Sequence, residues 1–122
     1  MDSRLIKETV PGAKSFASNS DVYVEAGHIC IKKNIAEKIF GKETVVFSVF
    51  YAKDNTFMVS PANEELFKTI HKANQQMLKM KNTNGDKSIS IQELILDNDI
   101  DETDRDLEFV TEEALHILKV KL

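Results

Sequence analysis

The chain has 122 residues, 42% apolar and 30% charged, enough for one domain whose core needs no staples. It has no apolar run near the roughly 18 residues of a membrane span, its opening "MDSRLIKETVPGAKS" lacks the apolar stretch of a secretory signal, and its single cysteine, Cys30, has no internal disulfide partner; the expectation is a cytoplasmic protein that does not span a membrane. The net charge of −4 is uneven: residues 1–53 carry eight Lys/Arg against six Asp/Glu, and residues 54–122 eight against fourteen, so only the first half could face phosphate.

Residues 1–20 show weak periodicity and read as a loosely held arm, with a short strand near Leu5 and Ile6. "DVYVEAGHICIK" (21–32) alternates around the turn "EAGH", where Gly27 is free to take positive φ; this predicts a hairpin. In "NIAEKIFG" (34–41), Asn34 and Glu37 have capping-box spacing, Ile35, Ile39 and Phe40 form one stripe, and Gly41 suits the residue after a helix; about two helical turns are predicted. "TVVFSVFY" (44–51) is β-branched and aromatic, a strand buried on both faces; "AKDNT" turns the chain and "FMVS" (57–60) returns. Ser60 and Pro61 read as the cap and first residue of the longest element. Leu66, Ile70, Ala73, Met77 and Met80 follow at helical spacing, predicting one helix over about 61–81, roughly 30 Å long. "SISI" (88–91) reads as a strand and "QELIL" (92–96) as a helix. The run "DNDIDETDRDLE" (97–108) holds seven acidic residues in twelve and reads as a solvated loop held open by repulsion, and "DLEFV" and "ALHILKVKL" finish as strands. The class is α+β, with strand–short helix–strand–strand units joined by the long helix.

"NTNGDKSISIQEL" (82–94) has the spacing of a calcium loop. Asn82, Asn84, Asp86, Ser88, Ser90 and Glu93 fall at loop positions 1, 3, 5, 7, 9 and 12, with Ile89 apolar at position 8, and the stretch resembles an EF-hand loop. Lys87, however, stands where that loop needs glycine, and only Asp86 and Glu93 bring full charge. The sequence therefore predicts a helix stop and strand start here, with a degenerate calcium site at Asn82, Asn84, Asp86, Ser88 and Glu93 as the alternative.

"GHICIKKNIAEKIFG" (27–41), followed by "TVVFSVFYAKDNTFMVSP", resembles the swapped-hairpin modules of AbrB-type regulators, MazE-type antitoxins and tandem MraZ-type proteins. Gly27, Ile29, Ile31, Lys33, Ile35 and Ile39 match the family pattern in the order strand, loop, helix, strand. Residues 85–122 echo it weakly: Gly85, "SISI", "QELIL" and two strands. The resemblance implies one domain with tandem units at 21–61 and 85–122, a homodimer, and a DNA-facing edge at Lys32, Lys33, Lys38 and Lys42. The family's two DNA-contacting arginines fall at His28 and Ala36, and its proline at Lys32, so the bidentate contacts an arginine gives are missing.

No nucleophile elbow, phosphate loop or dinucleotide fingerprint is present, and His28, His71 and His116 lack metal-ligand spacing. Cys30 alternates with Ile29 and Ile31 and reads as a half-buried, inert strand residue. The expectation is a non-enzymatic regulator or binding protein without a cofactor. It would bind DNA through its basic first half or, alternatively, a protein partner through its acidic second half.

Overall fold

The hairpin expected at 21–32 forms as β1 (Val22–Glu25) and β2 (His28–Ile31), with Tyr23 opposite Cys30. Its two turn residues, Ala26 and Gly27, have φ of 51° and 77°, the paired positive angles whose twist matches that of the strands. Ala26 holds this conformation at a steric cost, and its N–H donates to Asp104 Oδ1 at 3.0 Å. The computed structural model that shows this describes residues 19–122; the strand expected near Leu5 and Ile6 lies outside them.

Helix α1 (Lys33–Phe40) buries Ile35, Ala36, Ile39 and Phe40 and ends at Gly41, φ 58°. Its start corrects the expected capping box. Asn34 is inside the helix, and its amide donates to Asp21 instead. No side chain of α1 caps its own N-terminus; the Lys33 N–H donates to Asp86 Oδ1 at 2.9 Å, a carboxylate supplied from another part of the chain.

Strands β3 (Val45–Tyr51) and β4 (Thr56–Pro61) form the second hairpin. Ser60 and Pro61 therefore end a strand and do not open a helix; Ser60 is buried, and its hydroxyl donates to the His116 carbonyl at 2.8 Å. The helix expected over 61–81 is only seven residues long, α2 (Glu65–His71), and stops at Lys72 in the left-handed region. Beyond it come β5 (Asn74–Met77) and β6 (Lys79–Met80). The proposed apolar seam is in fact outside: Leu66, Ile70, Met77 and Met80 are 69, 63, 54 and 66% exposed, while Phe67 and Leu78, which lie off the seam, are buried. Pairing decided the matter. The apolar β3 needs a neighbour along its second edge, and Val45–Ser48 find it in Met77–Asn74.

The last third follows the sequence more closely: β7 (Lys87–Ser90), α3 (Gln92–Asn98), β8 (Arg105–Asp106), β9 (Phe109–Glu112) and, after a short 3₁₀ turn, β10 (Ile117–Lys121). The acidic run is less open than expected. Part of it pairs with β1, Asp104 holds the β1–β2 turn, and Asp106 accepts the N–H groups of Asn19 and Ser20.

Two five-stranded antiparallel sheets result, a small α+β domain. The first has the order β6-β7-β2-β1-β8 and the second β5-β3-β4-β10-β9. One core of residues from both sheets lies between them, including Val24, Ile29 and Ile89 from the first and Val46, Phe57 and Leu118 from the second, joined by Ile39 of α1 and Ile95 of α3. A smaller cluster of Phe47, Met58 and Ile117 lies under Phe67 of α2. Exchanging β1-β2-α1-β3-β4 for β6-β7-α3-β9-β10 leaves four adjacent strands of each sheet, β6-β7-β2-β1 and β3-β4-β10-β9, in the same order read backwards. At the two centres, Ile29 faces Ile89 and Val59 faces Leu118. The first residues of the two helices also make reciprocal contacts. A Cβ on Gly85 would come within 3.0 Å of the Lys33 stem, and one on Gly27 within 3.0 Å of Gln92 Cγ.

Candidate binding cleft

A cavity of about 640 Å³ opens between α3 and the edge of the second sheet where β5 meets β3. Local sequence explains its chemistry. Along β3 the residues that share Val46's face are Ser48 and Phe50, so the one polar residue of that strand points inward beside the core. Ser48 is only 4% exposed, and its hydroxyl donates to Gln76 Oε1 at 2.7 Å. Gln76 Nε2 in turn donates to the Ser90 carbonyl at 3.0 Å, tying the second sheet to the first. This relay satisfies a buried hydroxyl and fixes one wall of the cleft. Phe57 and Ile91, both buried, contribute to the lining at depth. Across the opening stand Glu93 and Asp97, four residues apart on one face of α3, both exposed and neither in an ion pair with a described residue.

The lysines proposed for DNA do not form one patch. Lys33 lies at the N-terminus of α1, against Gly85 and the loop of Asp86. Lys38 lies in the last turn, about 7.5 Å further along the helix axis, and Lys42 just past the helix end; both line a smaller cavity with Glu37 and Glu43, and Lys38 approaches Glu113 at 4.0 Å. Lys32 is half-buried, and its carbonyl accepts the Ile35 and Ala36 N–H groups at the start of α1.

The calcium-like stretch begins in the loop between β6 and β7, where the side-chain oxygens of Asn82 and Asp86 are already engaged. Asn82 Oδ1 accepts the N–H groups of Asn84 and Asp86 at 3.0 and 3.3 Å, and its amide donates to Asp86 Oδ2 at 3.0 Å. Asp86 Oδ1 caps α1. The expected turn and strand start are present; the expected helix stop is not, because a strand precedes the loop. Ser88 lies opposite Cys30 on the first sheet, and Glu93 belongs to the cleft, so the structure divides these residues between different places. Among the described residues no group of three or more His, Cys, Asp or Glu side chains could hold a metal.

The histidines are dispersed: His28 Nδ1 donates to the Ala26 carbonyl, His71 Nδ1 meets the Tyr51 hydroxyl at 2.5 Å, and His116 Nδ1 meets Glu64 at 2.7 Å. Cys30 is more deeply buried than expected, 2% exposed, and desolvation pushes its thiol above the ordinary range. Beside it, Lys81 pairs with Glu25 at 2.5 Å over the Tyr23 ring, and that hydrogen bond holds the ammonium's proton more tightly than usual. On the acidic run, hydrogen bonds from Thr103 lower the Asp101 pKa.

Sequence reading missed Ser48, Gln76 and the cleft itself. The signal was the lone serine of "VVFSVFY", whose partner lay hidden in residues taken for helix. No family model, curated protein or solved structure matches the chain.

Proposed function

We propose that the protein is a non-enzymatic binding module on a tandem swapped-hairpin scaffold of the AbrB, MazE and MraZ kind, and that it engages a basic segment of a protein partner through α3 and the acidic run behind it. The observation that carries this is the charge of the two equivalent helices. Counting from their first residues, Lys33 and Gln92, the position of Asn34 corresponds to Glu93 and that of Lys38 to Asp97. A pair of helices that both face phosphate needs basic residues on each, and here one has been given carboxylates. The dimer expected from the family resemblance rested on a unit unable to cover its own sheets; the other half of this chain supplies that cover.

The test is anisotropy of a fluorescent arginine- and lysine-rich peptide. Replacing Asp97, Asp99 and Asp101 together by Asn is expected to weaken binding about tenfold, through the loss of three solvent-screened carboxylates. Replacing Asp54, Glu65 and Glu108 by their amides is expected to leave it unchanged. Equal loss in both variants would mean the peptide reads only net charge, and the proposal would fall.

A further inference from the structure

We infer that the free edge of β9 is where an extended segment of the partner adds as a further strand of the second sheet; the partner's basic character rests on the proposal above. The relation between the two halves of the chain marks the place. Val59 and Leu118, which face each other at the centre, pair on their other sides with Ser48 and Thr111. Ser48 therefore corresponds to Thr111, and Phe47 to Val110. Around Ser48 the chain covers itself. Strand β5 lies along the edge of β3, Gln76 accepts the Ser48 hydroxyl, and Phe47 packs with Phe67 of α2. Around Thr111 no described residue does the same: β9 ends its sheet, the Thr111 hydroxyl makes no hydrogen bond, and Val110 is 59% exposed.

This edge can template a strand. The Lys121 N–H donates to the Glu108 carbonyl, so alternation turns the N–H and C=O groups of Val110 and Glu112 toward β10 and those of Phe109 and Thr111 outward. Charge selects the occupant. The edges of the first sheet, β6 and β8, are two residues long, and β5 is flanked by Lys72 and Lys79, which repel a basic segment. The flanks of β9 are acidic. Glu108 is exposed and in no ion pair with a described residue, Glu113 is approached by Lys38 at 4.0 Å, and Glu112 is held by Lys119 at 2.5 Å. Two copies joined β9 to β9 about Val110 would set Glu108 against Glu112, whereas a segment with cations at its ends meets opposite charge.

The probe is a capped, fluorescein-labelled peptide with the sequence of residues 72–79, the segment that holds β5; it carries two lysines and no carboxylate. In the register of β5, its Asn74 and Gln76 meet Thr111 and Phe109. Titrated with the full chain, it is expected to show a saturable rise in anisotropy, and the Phe109 and Thr111 amides are expected to exchange more slowly when it is bound. Thr111→Pro removes an outward donor that the pairing with β10 does not use, so it is expected to abolish binding with the melting midpoint of the chain nearly unchanged. Glu108→Gln with Glu113→Gln is expected to weaken binding about fivefold. No saturable binding, or equal binding by wild type and Thr111→Pro, would overturn the inference. A sedimentation mass of two copies, reduced to one by Thr111→Pro, would give the edge to a second copy and overturn it as well. If the arginine- and lysine-rich peptide is weakened by replacing Asp97, Asp99 and Asp101 but is indifferent to Thr111→Pro, the edge falls and the acidic-face proposal stands. If only Thr111→Pro weakens it, the edge stands and that proposal falls.

Discussion

Replacing Asp86 by alanine removes two things together: the acceptor for the Lys33 N–H and the partner of the Asn82 amide. The loop thereby loses its anchor and α1 its cap, and a loss of about 1–2 kcal/mol is expected in chemical denaturation. Asp86→Asn can keep an acceptor for the Lys33 N–H but gives up the charge at the helix N-terminus and the second acceptor, which holds the Asn82 amide, about 0.5–1.5 kcal/mol in all. Calcium is expected to change neither wild type nor variant. A calcium-specific rise in the wild-type melting midpoint, lost in Asp86→Asn, would contradict the cap assignment. Cys30 gives a second residue-level expectation. Its buried thiol keeps its proton above the ordinary range, so its contribution to stability is greatest below that range and declines as pH rises through it toward the folded value. At pH 8, alkylation by iodoacetamide followed by mass spectrometry should therefore be slow in native buffer and rise with denaturant; native alkylation at the rate of a free thiol would contradict the burial. Spacing showed that residues 82–93 are rich in oxygen ligands. It could not show that the main acceptor faces a helix 53 positions away, because nothing local marks that contact.

Elements were legible where one segment's own pattern sufficed. Hairpin β1–β2, helix α1 and strand β3 follow from alternation, a helical stripe and a dense β-branched run, and they stand within a residue or two of expectation. Residues 61–81 were misread because helical spacing of Leu66, Ile70, Met77 and Met80 was taken as burial, when the free edge of β3 had the stronger demand. That demand makes a test possible. The Leu78 N–H donates to the Thr44 carbonyl, so by antiparallel alternation Gln76 faces β3 and Gln75 faces solvent. Gln76→Pro should cost about 3 kcal/mol, whereas Gln75→Pro should be tolerated as edge-strand prolines are. In a helix both would be severe, so comparable losses in urea melts would contradict the strand.

For the whole molecule, the charge imbalance between halves was plain in the sequence, but its meaning was not. Residues 54–122 are acidic overall; only the strand order shows that α3, with Glu93 and Asp97, stands where α1 carries Asn34 and Lys38. The echo between residues 27–61 and 85–122 was faint because few identities persist, and the outer strand of the second hairpin, Lys79–Met80, lay inside the residues assigned to a helix. The same comparison supplies the most direct measurement: duplex DNA of random sequence and the basic peptide, titrated at one moderate salt concentration into wild type and into Glu93→Asn with Asp97→Lys, which gives α3 the residues of α1. Wild type is expected to bind the peptide, and DNA no more tightly than about 10⁻⁴ M, the weak limit of ordinary non-specific binding. The variant is expected to lose the peptide and gain DNA. Tight DNA binding by wild type, unaltered in the variant, would contradict the account.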